Sequence, residues 1–239
     1  MIRAPVANLS EGPRTLTADT SSYLCRVLRL RVGDRFVAFD SEARTEADAT
    51  IEDASPNAAR VSVGPVRAAS IVVLRPVRLV YALSKGDKVD AVVRDATELG
   101  ATMIYLAPSD HSVVKIDESK RAAKLQRWGR IAEEAARQCG RGDPPRVYLE
   151  PDMRTALATA TSQAADAFIL DPRATEPLGR HLGQRAEVFA VGPEGGFSVD
   201  EIEFAKSQGY RPVTLGSFVL RTETVAAAVL GAVRILEGA

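Results

Sequence analysis

Apolar and polar positions follow two regimes along this chain. Up to about residue 70 the apolar runs are short. RFVAFD (35–40), EADATIED (46–53) and RVSVGPV (60–66) read as strands separated by the turn-forming Asp40-Ser41 and Ser55-Pro56-Asn57. One helix is expected over Thr20–Leu28, so residues 1–72 are predicted to form a small β-barrel-like module. From residue 77 strands and helices alternate. VRLVYAL (77–83) has the makings of a buried strand, and Val89, Val92, Val93, Ala96 and Leu99 then recur at helical spacing up to Gly100, a natural stop. Further strands are predicted at 103–108, 146–150, 167–171, 187–192 and 212–216, and further helices at about 117–139, 152–163, 199–208 and 222–236. The longest helix is expected to bury Leu125, Trp128, Ala132, Ala135 and Cys139 along one face. Such alternation implies an α/β domain over residues 73–239, with a mostly parallel sheet covered on both faces.

Composition narrows the classes. No stretch approaches the roughly 18 uninterrupted apolar residues of a membrane helix, and MIRAPVANLSEGPR has no apolar signal core, so a soluble cytoplasmic protein is expected. Cys25 and Cys139 are too isolated for a disulfide framework or a zinc site, and no metal is expected. Lys plus Arg equals Asp plus Glu at 31 each, which by itself does not suggest a nucleic-acid binder. Local charge does. Arg26, Arg29, Arg31 and Arg35 face only Asp34 within residues 22–35, and residues 111–146 hold nine basic against five acidic side chains.

Two glycine turns carry the candidate chemistry. In VFAVGPEGGFS (188–198) a strand runs into a glycine-rich loop and then a helix, whose start is specified by a Ser198/Glu201 capping box and a Phe197/Ile202 staple. Glycines there let the backbone approach a ligand closely. Glu194 in the loop and the absence of a following Lys argue against a phosphate; the dinucleotide G-x-G-x-x-G pattern is also absent. A neutral or cationic ligand with hydroxyls and an adenine edge fits better, while a plain strand–helix turn is the alternative. In VTLGSFVLRTET (213–224) a second strand ends in a second turn. Thr222 can cap the helix that follows, and Glu223 suits its dipole. Arg221 has no such structural reason, because a cation is disfavoured at a helix N-terminus.

VGPEGGFSxxE and LGxxVLRTETxxxA together resemble the two cofactor loops of the SPOUT methyltransferases, in particular the family that methylates uracil N3 in 16S ribosomal RNA. SKGDKVDAVVRDATELG (84–100), RWGRIAEEAARQCGRGDPPRV (127–147), LDPRA (170–174) and VLRLRVGD (27–34) resemble further segments of that family, so the likeness spans nearly the whole chain. It implies a C-terminal SPOUT domain, an α/β knot with a deep trefoil, behind an N-terminal PUA-like β-barrel. It also implies a homodimer, S-adenosylmethionine as cofactor, and 16S ribosomal RNA or the assembled small ribosomal subunit as partner. Carried onto this sequence, the cofactor would lie against Leu170, Val191, Gly192, Pro193, Glu194, Gly195, Gly196, Leu215, Gly216, Val219, Leu220, Thr222 and Thr224. RNA would meet Arg26, Arg29, Arg31, Gln138 and Arg141. Phe218, Tyr23 and Asp110-His111-Ser112 depart from residues common in the family (Arg, His and Glu-Arg-Ser), and all are expected to leave the two cofactor loops untouched.

Methylation at N3 needs in-line positioning, an acceptor for the departing proton, and a cation or donor near the charge that builds on the uracil oxygens. Arg221 is the candidate cation; Glu223 or Glu194 is the candidate acceptor. His111 and His181 read as surface or turn residues, and Trp128 as core. Two rivals remain from sequence: a SPOUT enzyme acting on a ribose 2′-hydroxyl of tRNA or rRNA, and a non-catalytic RNA-binding assembly factor.

Overall fold

The computed structural model describes residues 2–73, 75–114, 117–162, 166–182 and 187–237. They form two compact units, one built from residues 1–72 and 136–144, the other from 73–135 and 145–239.

The first unit is a six-stranded mixed sheet. Its elements are β1 (Arg3–Pro5), β2 (Gly12–Thr15), α1 (Ala18–Ser22), β3 (Arg35–Asp40), β4 (Thr45–Asp53), β5 (Arg60–Val63) and β6 (Arg67–Ala68). The strand order is β1-β3-β4-β5-β2, with β6 beside β4. Leu24, Phe36, Ile51 and Val61 fill its core. The helix expected over Thr20–Leu28 is shorter: α1 gives way to a π-helical turn at Tyr23–Val27. RVSVGPV is also shorter as a strand, ending at Val63. β1 and β2 escape sequence reading because they are brief and carry Pro5 and Pro13. Arg26, Arg29 and Arg31 are all exposed on this unit.

The second unit continues with β7 (Val77–Ala82), α2 (Lys88–Glu98), β8 (Met103–Ala107), α3 (Glu118–Cys139), β9 (Arg146–Leu149), α4 (Met153–Thr161), β10 (Asp166–Leu170), β11 (Glu187–Val191), α5 (Val199–Ser207), β12 (Tyr210–Val213) and α6 (Thr222–Glu237). Its six strands are all parallel, in the order β12-β10-β11-β7-β8-β9. Their near-continuous apolar runs follow from burial on both faces. In β7, Val77, Leu79 and Tyr81 enter one core with α2, α3 and α6; Val80 and Ala82 enter the other, with α4 and α5. Trp128 is core, as its spacing predicts, and its indole N–H donates to Asp90 at 3.0 Å. Leu125 is not: it is 37% exposed, because α3 turns a narrower apolar stripe inward than the spacing suggests.

The topology places a crevice. β11 lies between β10 and β7, so chain segments from both directions of travel meet at its C-terminal end. Ligands of open α/β sheets collect at such points. After β12, Thr214 donates to the Glu176 carbonyl at 2.8 Å and accepts from the Leu178 N–H at 3.0 Å. The chain then returns to the middle of the sheet, where α6 packs against α2, β11 and β7.

Candidate functional site

A cavity of about 440 Å³ opens at the C-terminal ends of β10, β11 and β12. That is within the usual range for small-molecule sites. Leu170, Val191, Val213, Leu215, Val219, Leu220 and Val225 make its apolar wall, and Gly192, Pro193, Glu194 and Gly196 supply one rim. Arg221, Thr222, Lys88 and Phe218 also line it. The two glycine turns read from sequence therefore meet in one place. Of the positions assigned to the cofactor by resemblance, Gly195, Gly216 and Thr224 do not line the cavity, and neither does Glu223.

The first loop is braced from below. Ser198 and Glu201 form the capping box, and Phe197 and Ile202 are both buried in the core beneath. Glu201 does more than cap. It is 1% exposed and accepts from Ser198 N–H at 2.9 Å, Ser109 Oγ at 2.9 Å and Asp110 N–H at 3.0 Å. Asp110 in turn accepts from Ser198 Oγ at 2.6 Å, and His111 Nδ1 stands 3.1 Å from the Gly196 carbonyl oxygen. The expectation that Phe218, Asp110 and His111 leave the cofactor loops untouched is thus corrected, since Phe218 itself lines the cavity. The turn after β8 arrives beside the loop by sheet pairing, which local sequence does not encode. The same contact explains Gly195, where a Cβ would stand 3.2 Å from His111 Cβ. Its lack of a side chain makes room for the neighbouring turn rather than for a ligand. Gly196, with φ +72°, does sit on the cavity and needs glycine for its backbone conformation.

The second loop is capped differently from the sequence reading. Helix α6 opens at Thr222, and the Val225 N–H bonds to the Arg221 carbonyl at 2.9 Å. Arg221 therefore occupies the cap position. Thr222 is the first helical residue, buried, with its hydroxyl 2.9 Å from Tyr81 Oη and 3.2 Å from Glu223 Oε2. The threonine fastens the loop to β7 instead of capping. Arg221 itself is exposed and makes no ion pair with the described residues.

Lys88, at the start of α2, was not singled out by sequence. Its ammonium lies 2.7 Å from Glu194 Oε1 and 3.6 Å from Glu223 Oε2, so one cation serves a carboxylate from each loop. The hydrogen bond from Lys88 holds the Glu194 carboxyl below the usual carboxylate range, and the same bond raises the lysine. Glu223 is lowered chiefly by its own backbone N–H at the helix start, with help from the Thr222 hydroxyl. Both carboxylates are held as anions and are correspondingly weak bases.

The RNA residues expected from the long middle helix separate. Gln138 is exposed. Arg141 is 3% exposed and pairs with Asp143 at 3.1 Å, so its guanidinium is committed within the fold. This corrects its assignment as an RNA contact. His181 pairs with Glu176 at 2.8 Å. Among the described residues no group of three or more His, Cys, Asp or Glu could hold a metal, and no helix is long and apolar enough to cross a membrane.

Comparison with known proteins places these features. An RNA methyltransferase domain family matches residues 73–234, and an RNA methyltransferase PUA domain family matches residues 16–64. Ribosomal RNA small subunit methyltransferase E of Synechocystis is 32% identical over 95% of this chain and 74% of its own length. The Mycobacterium bovis protein of the same name is 31% identical, over 91% of this chain and 84% of its own. Among solved structures, a methyltransferase of Legionella pneumophila in complex with SAM superposes with a TM-score of 0.90 at 27% identity, covering 99% of this chain and 98% of that one. Ribosomal RNA small subunit methyltransferase E of Neisseria gonorrhoeae, bound to S-adenosyl methionine, gives 0.86 at 27% identity and the same coverage.

Proposed function

This chain belongs to the RNA methyltransferase family, and we propose that it uses S-adenosylmethionine to methylate N3 of a specific uridine in 16S ribosomal RNA. The observation that carries this reading is the cavity in which both glycine turns meet, with an apolar wall, a glycine rim and a lone arginine at its mouth. The fold is that of the SPOUT class, and the relatives named above supply the class of substrate.

The residues present suit the cofactor. The wall from Leu170 to Val225 is apolar enough for an adenosine moiety, and the Gly192–Gly196 rim brings backbone N–H and C=O groups to its edge. Bound there, S-adenosylmethionine would supply an electrophilic methyl group. Everything else falls to the chain. Arg221, exposed and without an ion pair among the described residues, is placed to donate to a uracil carbonyl oxygen as negative charge builds on it. Glu194, which lines the cavity, and Glu223, beside Arg221 at the helix start, are the candidates to take the N3 proton. Because both are weak bases, proton loss depends on Arg221 making the bound uracil more acidic. Lys88 keeps the two carboxylates from repelling each other. Arg26, Arg29 and Arg31 offer exposed charge to the phosphate backbone.

The test is to map modified uridines in 16S ribosomal RNA from a strain lacking the gene. Loss of one N3-methyluridine, restored by the cloned gene, supports the reading. An unchanged set of N3-methyluridines, with loss of a ribose methyl instead, moves the enzyme to the rival substrate class. On the cofactor side, Gly195→Val should weaken S-adenosylmethionine binding about tenfold or more by calorimetry. The added side chain must displace His111 and with it the loop that holds Gly196. Affinity equal to wild type would show that the Asp110–Ser112 turn does not govern the cofactor loop.

A further inference from the structure

A second cavity has a volume of about 430 Å³. Leu83, Val89, Val114 and Trp128 form its apolar floor, and Ser84, Gly86 and Asp87 one side. The opposite side is α3, which contributes Lys120, Lys124 and Arg127 at a spacing that sets all three on one helix face. Arg127 is neutralised by Asp90, with Asp87 at 3.9 Å. Lys120 and Lys124 have no carboxylate within ion-pair distance among the described residues, so the wall presents two uncompensated cations. Lys124 is half-buried, its ammonium 5.6 Å from the Trp128 ring centroid, which holds the charge at the cavity edge.

We infer that this cavity seats a nucleotide of the RNA substrate next to the target uridine, with its phosphate on Lys120 and Lys124 and its base over the apolar floor. The inference rests on the RNA-methylating role proposed above. An apolar floor beside unpaired lysines is the pairing of surfaces that a single-stranded nucleotide requires. The position is also right. Ser84, Gly86 and Asp87 line this cavity, while Lys88, the next residue, lines the cofactor cavity. Tyr81 Oη joins the two, 3.4 Å from Ser84 Oγ on one side and 2.9 Å from Thr222 Oγ1 on the other. A nucleotide bound here lies one loop away from the first cavity.

The experiment uses the full-length protein and 16S ribosomal RNA from the deletion strain. In Lys120→Ala/Lys124→Ala, KM for RNA should rise roughly tenfold with kcat little changed. The slope of log affinity against log salt should fall by about 0.7, the value for one single-strand phosphate. Affinity for S-adenosylmethionine and the thermal midpoint should stay at wild-type values, and Lys120→Arg/Lys124→Arg should restore KM. Wild-type KM and salt slope in the alanine pair would overturn the subsite. So would a parallel loss of cofactor affinity, which makes the lysines part of the fold, or a cavity that captures an acidic peptide in preference to RNA. If the wild-type protein methylates this RNA neither free nor in small ribosomal subunits from the same strain, the fault lies with the proposed function, and the subsite falls with it.

Discussion

Arg221→Ala should lower the turnover of RNA methylation roughly a hundredfold or more, the usual consequence of removing a donor from developing charge. Its thermal midpoint should barely move. The side chain is exposed and makes no ion pair with the described residues. A cation at a helix N-terminus is itself opposed by the dipole by ~0.3–1 kcal/mol. Arg221→Lys should recover only part of the rate, because an ammonium lacks the planar fork of the guanidinium. Methyl transfer and thermal unfolding measured on the same variants separate the roles. Activity lost in step with stability would make the arginine structural, and activity kept would take it out of the reaction.

Glu201→Ala should show the opposite profile, a large loss of stability that carries activity down with it. The carboxylate is buried and accepts from Ser198 N–H, Ser109 Oγ and Asp110 N–H. Deleting it leaves the buried Ser109 hydroxyl and the part-buried Ser198 and Asp110 N–H groups without that acceptor. With unsatisfied buried donors costing ~1–3 kcal/mol each, a total of about 3 kcal/mol or more is expected. For a chain of this length that lowers the thermal midpoint by roughly 6–12 °C. Glu201→Gln keeps one acceptor oxygen and should lose about half as much. A midpoint within about 2 °C of wild type for the alanine variant would mean that the three donors find other partners.

These two residues mark how far the sequence could be read. Glu201 was legible as a capping residue, since a cap is a relation across three positions of one helix. Its bonds to Ser109 and Asp110 were not, because they join turns that follow different strands and exist only after β8 and β11 take their places in the sheet. Lys88 escaped for the same reason: its partners, Glu194 and Glu223, are more than a hundred positions away. Arg221 could be picked out because it contradicts a local rule, and a residue that breaks local preference without structural return is a fair candidate for chemistry. The strands and helices of the second unit were legible from periodicity, as were the two glycine turns. The knot came from resemblance alone, since no local preference encodes a chain crossing. Arg141 misled because its burial against Asp143 depends on neighbours brought together by folding.

Thr214, held on both sides by the 176–178 segment, also bears on time. The walls of the first cavity come from residues 88, 170–172, 191–194, 196, 213–215, 218–222 and 225, all but one of them beyond residue 169. A ribosome releasing this polypeptide N-terminus first must pass Val225 before those walls can meet. The segment after β12 must then find its place against a stretch already laid down, a search over distant contacts of the kind that slows folding. The competence to bind a small molecule is therefore acquired only once this segment is seated, and a bound ligand would act as a clasp on that step, favouring the closed arrangement by mass action.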